Sequence, residues 1–227
     1  TNIVILSTLH QHSNNIIFSD GDIHNSIFNK ISIQQHKIYS YLTKYKFGEI
    51  NNEIFKSEHS HKNIIPFLEV CFPNIPITPI LIGNLKNKFS IIGKTLYQHF
   101  NTKKTLWIIC TDLLHVNGRF SYKLPEKYIN RNIRNIENEL LNDIFERKTL
   151  QSFNKKMNKF KKNGVLPSIC GENVLKLFLT IPFEKLNAKI CSYYHSNQAH
   201  SIIQNKLIDN DTIGSVVSYC SAIFISN

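Results

Sequence analysis

Histidines and carboxylates fall in short clusters along this chain. His10 and His12 close the run IVILSTLHQH, Glu58, His59 and His61 lie in SEHSHKNIIPFL, and Asp112 and His115 end LWIICTDLLH. His195 and His200 flank the segment SNQA. An imidazole is the commonest metal ligand and carries protons near neutral pH. A carboxylate three residues from a histidine can orient the ring or tune its proton affinity. Each cluster also has a plainer reading. His10 suits a hydrogen-bonded residue at a strand end, and Asp112 suits a turn cap with His115 merely nearby. Glu58 suits the acidic first turn of a helix capped by Ser57, with His59 facing solvent and His61 part of the helix entry. His24, His36 and His99 read as surface residues. No GxGxxG, P-loop, HExxH or GxSxG motif occurs.

The elements that must position these residues alternate between short β-branched runs and helical patterns, as in parallel α/β folds. Strands are expected over Ile3–Ser7, Ile16–Ser19, Thr78–Ile82, Thr105–Cys110, Ala188–Tyr194 and Val216–Ile225. Helices are expected over Ile33–Lys46, Phe89–Phe100, Lys127–Phe145, Thr149–Lys161 and Gly171–Thr180, from spacing near 3.6. Gly164 suits the C-terminal cap of the fourth. Ligand sites in such folds lie beyond the carboxyl ends of the strands. His10 with His12, and Asp112 with His115, directly follow strand runs, and a helix start at EHSH can line the same crevice. No internal repeat or long linker divides the chain, so a single domain over residues 1–227 is expected.

Composition narrows the function classes. The 227 residues are 42% hydrophobic, enough for a packed core, and carry a formal net charge of +11. Arg119, Arg131, Arg134 and Arg147 are the only arginines, and the lysines are spread evenly. Arginine is the residue that forks onto phosphate and guanine edges, so nucleic acid is not the expected partner. The five cysteines are far apart, with no CxxC pair. They read as buried thiols in a reducing compartment, which implies a cytoplasmic protein. No apolar run is long enough for a membrane span. The abrupt start at Thr1, straight into NIVILST, suggests a segment missing before it.

Taken in order, the clusters resemble the Memo family (mediator of cell motility), whose fold is similar to class III, non-haem-iron extradiol dioxygenases. ILSTLHQ is similar to the family's strand ending in GPSHH, placing His10 at the first of those histidines. EHSHKNIIPF resembles EHSxExxLPF, ITPILIG resembles IIPVLVG, and CTDLLH resembles SSDxxH, followed by the similar GRFSY. ICGENVL resembles ICGRxPI, and GSVVSYCSAIFI resembles the closing SSVSYAAGAL. The chain departs from the pattern as well. The family's N-terminal APHAGY motif is absent, Lys62 replaces a second glutamate, and Ser7-Thr8 replaces Gly-Pro before His10. A cysteine of some members falls at Ala199, one residue before His200.

The resemblance implies an α/β fold with a mixed, largely parallel sheet flanked by helices, its N-terminal part missing. It implies a pocket with an iron or copper ion on His10, which His200, His115 or a histidine of the missing segment would complete. His115, oriented by Asp112, would be the acid/base group, and Glu58 and His59 would stand at the rim. Of the family's His/His/Cys site only His10 is in place, so no catalysed reaction is assigned. Redox or cell-motility signalling is one implied role. The other is a non-catalytic module holding a peptide or protein segment, in which Lys62 would favour an anionic ligand.

Overall fold

The computed structural model describes residues 2–19, 37–100, 104–162, 168–199 and 214–226. The chain forms two compact units, one of residues 1–111 with 171–182, the other of residues 112–170 with 183–227.

The first unit is built on a five-stranded sheet in the order β3-β2-β4-β1-β5. Its strands are β1 (Asn2–Thr8), β2 (Ile16–Phe18), β3 (Gly48–Ile50), β4 (Ile77–Ile82) and β5 (Thr105–Cys110). β1 runs parallel to both β4 and β5, β2 is parallel to β3, and only β2–β4 is antiparallel. This is the mixed, largely parallel sheet flanked by helices expected from the sequence. Ile3 to Thr8 along β1 are all buried, as a central strand covered on both faces requires. Ile3 and Ile5 join Phe55, Ile65, Leu68, Ile77 and Leu81 in one core cluster. Those partners come from α2 (Asn52–Ser57), α3 (Ile65–Cys71) and β4. Pro79 sits inside β4 without harm, because β2 reaches only Leu81 and Ile82 and leaves that stretch with one neighbouring strand.

α1 (Lys37–Lys44), α4 (Phe89–Phe100) and α7 (Glu172–Thr180) complete the unit. Residues 33–36 of the expected first helix lie outside the described residues. α4 and α7 approach closely at Gly93, where an added Cβ would stand 2.5 Å from Thr180 Oγ1 and 2.9 Å from its carbonyl. Thr180 is fixed there, its hydroxyl donating to the carbonyls of Phe89 (3.0 Å) and Leu177 (2.8 Å).

The second unit carries an antiparallel four-stranded sheet in the order β7-β6-β9-β8. It comprises β6 (Leu114–Val116), β7 (Ser168–Ile169), β8 (Leu186–His195) and β9 (Val216–Ser226), with α5 (Ile129–Phe145), α6 (Leu150–Lys162) and α8 (Ser196–Ala199). The last two expected strands therefore form and pair with each other, but in a separate antiparallel sheet. α5 and α6 are clipped together at Asp143, a buried carboxylate that accepts from Ser152 Oγ (2.9 Å) and pairs with Lys156. Thr149 caps α6, its hydroxyl accepting from Ser152 N–H (3.2 Å). The expected cap at Gly164 lies outside the described residues.

No disulfide joins the cysteines, all of which are described. Cys71 and Cys191 are exposed rather than buried as expected, the first on the outer face of α3 and the second at the bulge of β8. Among the described residues no helix is long and apolar enough to cross a membrane.

Gly93→Ala tests the helix contact. Alanine favours a helix by about 1 kcal/mol over glycine, whereas forcing atoms into a packed contact costs about 1–3 kcal/mol. The contact partners are the Thr180 hydroxyl, held by its two hydrogen bonds, and the Thr180 backbone carbonyl, so the clash should win by about 1 kcal/mol in urea unfolding. A variant as stable as the wild type would contradict the packing described.

Candidate functional site

In the first unit the site grows from the turn that leaves β1. Leu9 N–H bonds to the Ile82 carbonyl (3.2 Å), and Gly83 and Asn84 N–H bond to the carbonyls of Asn15 (3.1 Å) and Ser13 (2.7 Å). An added Cβ at Gly83 would meet those two carbonyl oxygens at 2.6 and 2.5 Å, so glycine is required for this approach. The loop bearing His10 and His12 is thus tied at both ends to the end of β4.

The segment Ser57-Glu58-His59-Ser60 holds the middle of that loop. Glu58 follows α2 in an extended conformation (φ −74°, ψ 137°) and is buried. Its Oε2 accepts from His10 N–H (2.8 Å), and its Oε1 accepts from the N–H groups of His59 (2.8 Å) and Ser60 (3.0 Å). Oε1 also pairs with His10 Nδ1 at 2.9 Å and lies 3.3 Å from His59 Nδ1. Ser60 Oγ donates to the Thr8 carbonyl (2.6 Å), Cys110 Sγ donates to the Ser60 carbonyl (3.3 Å), and Gln11 Nε2 donates to Ser57 Oγ (2.8 Å). Burial alone would raise the Glu58 carboxyl, but the His10 N–H, the His10 ring and the Ser60 N–H outweigh it and hold it down to about 2.

The two imidazoles stack over one another, centroids 4.7 Å apart and planes 14° from parallel. Their side chains are 39% (His10) and 68% (His59) exposed, so both rings present open edges while the carboxylate behind them is covered. Nδ1 or Nε2 of each ring and a Glu58 oxygen lie within 4.8 Å of one another. His12 is exposed and takes no part in the group.

The sequence reading of EHSH as a capped helix entry is corrected. Ser57 is the last residue of α2, its hydroxyl donating back to the Ile54 carbonyl (2.9 Å), and Glu58 closes that helix. α3 begins only at Ile65 and uses Pro66 in place of a side-chain cap. His61 is fully buried against Phe55, ring centroids 4.4 Å apart, and neither ring nitrogen has a hydrogen-bond partner among the described residues. Burial, aided by the nearby Lys62 and His59 and opposed by Glu58, pushes His61 down to about 4. Lys62 donates its ammonium to the Lys56 carbonyl at the end of α2.

The second unit holds the other cluster. Asp112 lies in the turn before β6, whereas His115 lies within β6 itself, not simply past the preceding strand as expected. His115 Nε2 is 3.5 Å from Asp112 Oδ2, and its ring packs on Phe120 at 4.8 Å. β7 pairs antiparallel with β6, setting Ser168 opposite His115 and Ile169 opposite Leu114. Cys170 follows directly after β7 and comes close to His115. One donor atom each of Asp112, His115 and Cys170 lies within 4.8 Å of the others. Sequence reasoning missed Cys170, because a two-residue strand gives no periodic signal. His200, the other expected ligand, lies outside the described residues. His195 is buried in β8 and belongs to a separate network.

Fold and site together describe an α/β protein with one imidazole–carboxylate cluster in the turn after β1 and another at the start of β6. The chain belongs to the Memo-like protein family, whose model matches residues 1–222. No curated protein matches the chain.

Acid unfolding separates the two buried groups. Glu58 binds its proton near 4.5 when unfolded and near 2 when folded, so its contribution is full above 4.5 and is lost as the pH falls toward 2. The His61 ring is protonated near 6.5 unfolded and near 4 folded, so its contribution is full above 6.5 and is lost as the pH falls toward 4. The melting temperature should therefore begin to drop below about pH 6.5. His61→Phe should remove the upper part of that drop and keep the part below about pH 4.5. Parallel pH profiles for the two proteins would contradict the assignment.

Proposed function

We propose that the chain is a metal-binding member of the family that holds iron or copper on His10, Glu58 and His59. The observation that carries the reading is the convergence of two imidazoles and one carboxylate within 4.8 Å. Two histidines and a carboxylate are the donor set of non-haem iron sites with open coordination positions. The residues present fit such an ion by donor chemistry. Glu58 is already ionised across the physiological range, and the exposed ring edges leave room for further ligands. Bound there, the ion would supply one-electron and oxygen chemistry. The chain's own part is positional: Glu58 fixes the His10 backbone and both imidazoles at once, and Ser60 holds the strand end behind them.

Asp112, His115 and Cys170 form a second donor group, in which Asp112 and Phe120 orient the His115 ring. A thiolate beside an imidazole suits a softer ion than the first group does. The peptide-binding alternative has less in its favour, since the ammonium of Lys62, which was to attract an anionic ligand, is bound to the Lys56 carbonyl. A role in redox signalling follows from this reading, and no reaction is assigned.

Anaerobic titration with Fe(II) or Cu(II), with bound metal measured by elemental analysis, tests it. Loss of one protein donor from a three-donor set should weaken binding by roughly 100-fold or more in His10→Ala and His59→Ala. Cys170→Ser should leave that binding intact. Wild-type affinity in both histidine variants would overturn the reading.

A further inference from the structure

One buried carboxylate in the second unit has no part in the donor groups. Glu137 of α5 is 1% exposed, and residues from β6, β8 and β9 converge on it. Its Oε1 accepts from Leu114 N–H (2.8 Å) and from the hydroxyl of Ser218 on β9. Its Oε2 accepts from the hydroxyl of Tyr193 on β8. Behind that phenol stands His195, Nε2 3.2 Å from the phenol oxygen and Nδ1 3.0 Å from Gln198 Oε1. Arg134, one turn before Glu137, lies over the Tyr193 ring at 5.3 Å. Burial and the neighbouring carboxylate push the Tyr193 phenol up, so it remains a donor to Glu137.

Leu114 lies between Asp112 and His115, and its N–H is where this network meets the second donor group. β6 and β9 pair through His115 with Val217 and Val116 with Val216. At the next position the ladder gives way to side chains: Leu114 N–H points to Glu137 Oε1 and, at 3.1 Å, to Ser218 Oγ. Leu113 N–H reaches the Ser218 carbonyl at 3.4 Å. The path of the chain from Asp112 into β6 is therefore set by a carboxylate held from three sides, and not by strand pairing alone.

We propose that Glu137 is the positioning residue of the Asp112–His115–Cys170 group, fixing through Leu114 N–H the turn that aims Asp112 and His115 at Cys170. This rests on reading that group as a metal-binding set. A carboxylate with a merely structural role would affect folding stability and leave the affinity of the folded protein for metal unchanged. Groups that orient metal ligands typically change affinity 10–100-fold when removed.

Co(II) is the probe, because its bond to a thiolate gives a charge-transfer absorption that reports this group specifically. The wild type should show that band, and Cys170→Ser should lose it. Glu137→Met, confirmed as folded by circular dichroism, should weaken Co(II) binding about 10–100-fold. Glu137→Gln, which keeps an acceptor for Leu114 N–H, should recover most of the affinity. Should the methionine variant fail to fold, Tyr193→Phe decides, since it removes one donor holding the carboxylate and should weaken binding several-fold. Unchanged affinity in folded Glu137→Met, or in Tyr193→Phe where that variant decides, overturns the positioning role while the metal reading stands. A wild type without the thiolate band overturns both.

Discussion

The candidate site of the first unit depends on a buried negative charge. Taking a carboxylate out of water costs several kcal/mol unless its lone pairs are filled, and Glu58 meets that demand with three backbone N–H groups and an imidazole. Two of those N–H groups come from the residues just after it, and the third comes from His10, far away in sequence. The same bonds that make the charge tolerable therefore fasten the β1 turn to the end of α2. The histidines are left at the surface while the charge that organises them stays inside. Ser60 and Ser57 add bonds to Thr8 and Gln11 on either side, so the alternation of inward and outward residues in Ser-Glu-His-Ser has a structural logic.

The second unit solves a similar problem differently. Its sheet is antiparallel, so the Asp112 turn has no parallel neighbour to define it. Glu137 supplies the acceptor that a strand partner would otherwise provide at Leu114. The network behind it, Tyr193 and His195 on one strand and Ser218 on the next, ties the longest strand pairing of the unit to the same carboxylate. In both units the histidines of the candidate donor group are at least partly exposed, and the carboxylate argued to place them is covered.

Much of the fold was legible because its signals are long. The apolar runs of β1, β4, β5, β8 and β9 and the helical spacing of α4 and α5 mark themselves, and the order of motifs indicated the family. Most short elements were not legible, although three-residue β2 was expected over Ile16–Ser19. β3, β6 and β7 are two or three residues each, below the length at which alternation can be recognised. Cys170 was missed for that reason, since only the β6–β7 pairing brings it to His115. EHSH was misread because Ser-Glu ahead of an apolar run is the usual sequence signature of a capped helix. Here the carboxylate found donors in the turn after β1 and in the two residues that follow it, and proline began the helix instead. His61 was read as part of a polar entry, yet it fills the space against Phe55 as a neutral ring.

The account turns on His10, Glu58 and His59 acting as one donor group. A crystal of the protein soaked anaerobically with Fe(II), measured at the iron absorption edge, would test this most directly. The prediction is an anomalous peak bonded to both imidazoles and to the Glu58 carboxylate, with Glu58 still accepting from the His10 and Ser60 N–H groups. Iron bound elsewhere, or no peak while His10 stays paired with Glu58, would make the cluster a structural latch and contradict the claim.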